Sequence, residues 1–148
     1  MQPVYEDHKF EALKVHYESH VSLLRQLTNT DLTVFTTYIT LQIAFGGWLS
    51  KNPVQGAGLQ VGIFLIDLTL SGITGVLLWN NYLRRKEVVA ILKNFSEALG
   101  FDAPDIYLPG KAVNVPTTFR PWWYWYLIAI IAGAVGIALI IFASSPSP

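Results

Sequence analysis

The chain has 148 residues, of which 52% are hydrophobic and only 14% charged, against roughly a quarter charged in an ordinary soluble domain. Ten basic and ten acidic side chains cancel, which removes the cationic field that draws nucleic acid. The absence of cysteine removes disulfides, thiolate nucleophiles and cysteine-based metal sites.

Residues 5–28 open the chain with Phe10, Leu13, Tyr17, Val21, Leu24 and Leu27 at spacings of three and four, the period of an amphipathic helix. Charges at Lys14, Glu18 and Arg25 lie mostly off that stripe. Acidic residues outnumber basic ones here, so docking on protein suits this helix better than lying on anionic lipid. No apolar run followed by a small-residue cleavage site occurs in this stretch, so a cleavable leader is not expected. Asn29, Thr30 or Asp31 is placed to cap the next helix, so the two expectations here are a bend and a single continuous helix. His16 and His20 sit one helical turn apart. They are weak candidates for a zinc or copper pair, because the intervening Glu18 points elsewhere on the helix and the order HYESH lacks the zinc-protease pattern. Two ordinary surface or interface histidines are the simpler account.

Residues 32–50 carry no charge and reach about 28 Å at about 1.5 Å per residue, enough for a hydrocarbon core of about 30 Å. KNPVQG follows as a tight turn, with Pro53 breaking the helix and Gly56 able to take a left-handed backbone angle. Residues 57–79 form a second span interrupted only by Asp67. An ionised carboxylate at that depth costs roughly 3 kcal/mol even on the lenient insertion scale. Ser71 and Thr74 share its face, and the first span offers Thr33, Thr36, Thr37, Thr40 and Gln42, so a polar seam within the hairpin is expected. Three readings of that seam stand side by side: a packing and assembly contact, a contact with an intramembrane basic residue of another subunit, or a cation or proton path in which Asp67, Ser71, Thr74, Thr37 and Thr40 face a lumen shared by several copies. Gly58 and Gly62, Ala129 and Gly133, and Ala132 and Gly136 give the small-xxx-small spacing that lets membrane helices approach closely.

Residues 80–121 form a connecting loop with a short amphipathic helix at about 86–99, built on Val88, Ile91, Leu92, Phe95 and Leu99 and ending at Gly100. Its remainder, with Pro104, Pro109, Pro116 and Pro121, is expected to be irregular but ordered. Arg84, Arg85, Lys86 and Arg120 lie near span ends, whereas the short turn holds only Lys51. The bias places this loop and the N-terminus on the cytoplasmic side of a bacterial-type inner membrane and the SSPSP tail outside. The third span, 122–143, begins with Trp122, Trp123, Tyr124, Trp125 and Tyr126. Indole and phenol rings favour the headgroup level, so Trp122, Trp123 and Trp125 read as a membrane anchor.

These elements define an all-α integral membrane protein, treated as a single three-span domain over 1–148. Phosphate loops, nucleophile elbows and glutamate–histidine sets for a di-iron centre are all missing, so neither catalysis nor a cofactor is expected. The leading functional reading is a non-enzymatic accessory or interaction subunit that assembles with itself or with a larger membrane complex, using Tyr17 and Phe95 as docking residues. The alternatives are a homo-oligomeric cation or proton channel using Asp67, and a quinone- or haem-binding subunit using the aromatic run.

Overall fold

A computed structural model describes residues 3–99 and 122–143, with side chains from 9 to 99 and from 123 to 143. It contains three helices: α1 over Pro3–Lys51, α2 over Ala57–Ala98 and α3 over Trp122–Ala143. All three are long and apolar enough to cross a membrane. The expected irregular loop beyond Leu99, the Gly100 cap, the SSPSP tail and the Trp122 side chain lie outside the described residues.

The cap expected at Asn29–Asp31 does not end one helix and start another: α1 is assigned as one helix through it, the second of the two expectations. The reason lies in the spacing. The stripe Leu24, Leu27 continues in register as Asp31, Tyr38, Gln42 and Leu49, and of these all but Leu24 are buried. Thr28 donates its hydroxyl to the Leu24 carbonyl inside the helix, an interaction that a helical backbone satisfies without any cap. The short helix expected at about 86–99 is likewise the end of α2 and not a separate element. In α2 the buried positions Gln60, Asp67, Ser71, Thr74, Leu78 and Val88 follow one heptad pattern, so nothing in the periodicity calls for a stop. A helix of 49 residues is about 73 Å long at 1.5 Å per residue, more than twice the hydrocarbon thickness. A single crossing would use less than half of that length.

The turn between α1 and α2 follows the expected chemistry. The Asn52 backbone N–H and side-chain amide both donate to the Trp48 carbonyl, closing α1. Gly56 adopts φ +98°, a left-handed angle that costs a residue with a Cβ. Its carbonyl accepts the N–H groups of Leu59 and Gln60, starting α2.

The chain divides into two compact units. One comprises 30–80 with α3 and holds the three apolar segments. Its core has two apolar clusters: Leu49, Val54, Ile137 and Ile141, joined by Phe45, Ile63, Phe64 and Ile140, and Tyr38, Leu78 and Ile130, joined by Val34, Phe35, Ile39 and Tyr126. The other unit comprises, among the described residues, 3–29 and 81–99. Val88 and Leu27 are buried within it.

Candidate functional site: a polar seam inside the spanning unit

Two polar seams link the helices of the spanning unit. At the first, the Tyr38 hydroxyl of α1 lies 3.0 Å from the Ile130 carbonyl of α3 and 2.9 Å from the Ser71 hydroxyl of α2. A carbonyl only accepts, so the single phenolic proton points to Ile130 and Ser71 donates to Tyr38. One side chain thereby ties all three helices together. The approach is close enough that a Cβ on Gly133 would stand 3.1 Å from the Tyr38 oxygen. Gly133 thus supplies the small surface expected of it, and its partner is Tyr38 of α1. Gly46 does the same for Ile137, whose Cδ1 would stand 3.2 Å from an added Cβ. The GxxxG pair Gly58 and Gly62 meets nothing within 4 Å.

One turn further along α1, the Gln42 amide donates to Asp67 Oδ1 at 2.7 Å. Asp67 is 1% exposed and Gln42 7%. Two oxygens of this pair, Asp67 Oδ2 and Gln42 Oε1, are buried without a hydrogen-bond partner. Thr74, also buried, donates to its own helix at the Leu70 carbonyl.

The second seam stands at the turn, where the Gln60 amide donates to the Val54 carbonyl at 3.0 Å and to the Ile141 carbonyl at 3.3 Å. The last four carbonyls of a helix have no partner within it. With α3 ending at Ala143, Gln60 caps one of them from a neighbouring helix. Neither Gln60 nor Tyr38 stands out in the sequence as a site residue. The usable signal was the heptad spacing of Gln60 to Asp67 and Thr74, and of Tyr38 to its neighbours on α1.

The residues offered for a shared lumen divide into two groups. Asp67, Ser71 and Thr74 are buried inside the unit, whereas Thr37 and Thr40 are exposed on the outer side of α1. Thr40 donates to the Thr36 carbonyl, and Thr36 to the Leu32 carbonyl. Thr69 on α2 closes on the Leu65 carbonyl in the same way. These outward hydroxyls are satisfied by their own helix, the arrangement that suits an apolar surrounding. Around them the exterior is apolar, with Ile43, Leu65, Ile66 and Leu139 all exposed.

The aromatic run of α3 also divides. Trp123 meets Trp79 edge-on at 4.9 Å and Tyr126 meets Phe35 at 4.4 Å, while Tyr124 and Trp125 are exposed, Trp125 at 69%.

In the other unit, Phe95 is half-buried between two histidines: its ring stacks on His16 at 6.4 Å and tilts against His20 at 5.5 Å. His20 Nδ1 donates to the His16 carbonyl at 2.8 Å. Among the described residues no group of three His, Cys, Asp or Glu side chains is placed to hold a metal ion. Tyr17 is half-buried too, so neither Tyr17 nor Phe95 is fully presented to a partner. The large apolar side chains that are presented include Phe10, Val15, Leu23 and Ile91.

Compared with known proteins, the chain matches no family model, no curated protein and no solved structure.

Proposed function

We propose that this chain is a non-enzymatic, multi-pass membrane protein that acts as an accessory or interaction subunit of a larger membrane assembly, anchored by the three apolar helices. The observation that carries this reading is the direction of the polar groups. Tyr38, Ser71, Gln42, Asp67 and Gln60 are committed to one another or to backbone within a single chain, and the outer hydroxyls of Thr36, Thr40 and Thr69 close on their own helices. A spanning unit that is apolar outside and polar inside is suited to sit in lipid, and it leaves little polar surface for a lumen between copies.

The chain order supplies the second half of the argument. The first part of α1 and the last part of α2 belong to one compact unit. The charge bias of Arg84, Arg85 and Lys86 favours the cytoplasmic side of a plasma or inner membrane. There, Phe10, Val15, Leu23 and Ile91 are exposed on helices too long to be used up by one crossing. Large apolar side chains left exposed outside lipid are available to a protein partner.

Two measurements test the reading. In proteoliposomes the full chain is expected to pass neither cations nor protons above the level of empty vesicles. A photo-crosslinking residue at Val15 or Ile91 is expected to give one discrete adduct in native membranes, lost when the neighbouring apolar position is changed to glutamate. Robust flux that changes in Asp67→Asn would replace this reading with the channel.

A further inference from the structure

The Asp67–Gln42 pair is short of donors: two of its buried oxygens have no hydrogen-bond partner among the described residues. The hydroxyl protons on this face point elsewhere, that of Tyr38 to Ile130, that of Ser71 to Tyr38 and that of Thr74 to Leu70, while one amide hydrogen of Gln42 goes to Asp67 Oδ1. The unpartnered atoms are both acceptors, Asp67 Oδ2 and Gln42 Oε1. A buried acceptor pair that includes a carboxylate calls for a positive charge.

That charge has no source among the three spans. Segments 32–50, 57–79 and 122–143 contain no lysine, arginine or histidine. The other ionisable side chain packed on this face is Tyr38, which has its own partners on α2 and α3. Helix α3 brings Ile130, Gly133 and Ile137 to the same core, and none of them is charged. A basic side chain from another subunit is also excluded in this arrangement. Asp67 is 1% exposed, so an extended lysine or arginine has no surface through which to reach it. A single carboxylate paired with one neutral amide oxygen matches one positive charge, and a hard cation prefers all-oxygen ligands.

We propose that Asp67 and Gln42 form a binding site for one exchangeable monovalent cation, a proton or a sodium ion, held by Asp67 Oδ2 and Gln42 Oε1 in the middle of the second span. Both ions share the chemistry that the site presents, and they are separable by experiment.

The test is infrared difference spectroscopy on the full chain in lipid vesicles, prepared with aspartate isotopically labelled at the side-chain carboxyl. Asp67→Glu removes the labelled group at this position while keeping a carboxyl, and so assigns the band. One arm steps pH in sodium-free buffer; the other adds sodium at fixed pH, with choline at equal ionic strength as the control. The proton source predicts conversion of the Asp67 carboxyl band to carboxylate along a one-proton curve, a tenfold change in the ratio of forms per pH unit. The sodium source predicts the same band responding to sodium and not to choline. In either case Gln42→Leu, which removes one ligand oxygen and the donor, is expected to displace the midpoint by at least about tenfold in ion activity. An Asp67 band that responds to neither pH nor sodium overturns the proposal, as does a midpoint that Gln42→Leu leaves in place.

Discussion

Tyr38→Phe combined with Ser71→Ala tests whether the three-helix junction stabilises the spanning unit. Phenylalanine keeps the buried ring of Tyr38, which is 2% exposed, and removes only the hydroxyl. Two bonds disappear, one to the Ile130 carbonyl and one from Ser71. The Ile130 carbonyl lies well inside α3, so it keeps its own helical donor. Ser71 loses its acceptor, but its hydroxyl can rotate back to the carbonyl four residues earlier in its helix. Interhelical hydrogen bonds between membrane helices are worth about 0.6 kcal/mol on average and about 1.7 at most. Two bonds with one partly replaced give a loss of about 1 kcal/mol for Tyr38→Phe, roughly a fivefold change in the folding equilibrium. The assay is reversible unfolding in mixed micelles, followed by helix content, for the wild type, both single variants and the double variant. The cycle should return a coupling energy of about 0.6 kcal/mol between the two hydroxyls. A coupling of zero, together with Tyr38→Phe as stable as the wild type, would refute the idea that this hydroxyl holds the helices together.

The same unfolding assay separates shape from chemistry at Asp67: Asp67→Asn keeps an acceptor for Gln42 and is expected within about 1 kcal/mol of the wild type, whereas Asp67→Ala leaves the Gln42 amide buried without a partner and should cost about 1–3 kcal/mol. Among the glycines, Gly133→Ala should cost about 1–2 kcal/mol, because the new methyl displaces a hydroxyl pinned by two bonds. Gly46→Ala should cost less, because it meets the free end of Ile137, and Gly58→Ala should be neutral, with nothing within 4 Å; equal effects at the three positions would contradict this ranking. Gln60→Leu removes donors from the Val54 and Ile141 carbonyls. It should destabilise by about 1–2 kcal/mol, with amide exchange accelerated at the turn over residues 52–56; unchanged exchange there would remove Gln60 from its role as a clamp.

Much of the fold was legible because lipid imposes a coarse code: length without charge marks a helix long enough to cross, and Pro53 with Gly56 marks the turn between two of them. The polar seam was legible in part, since Asp67 inside an apolar run has to be compensated, and Ser71 and Thr74 follow it at helical spacing. Gln42 came from the list of polar residues on the first span, and the structure singled it out over Thr37 and Thr40.

Periodicity tells which residues share a face, but the direction that face takes is set by how the helices pack. The sequence by itself determined the apolar segments, the turn and the need to compensate one carboxylate, because each follows from local composition or from the cost of charge in an apolar layer. Only the tertiary structure decided that Tyr38 joins three helices, that Gln60 caps α3, that α1 and α2 each continue as one helix, and that Asp67 faces Gln42 with one oxygen left over. These depend on residues 25 to 92 positions apart or on a heptad register that stays unbroken across the segment boundaries, and no local rule encodes them.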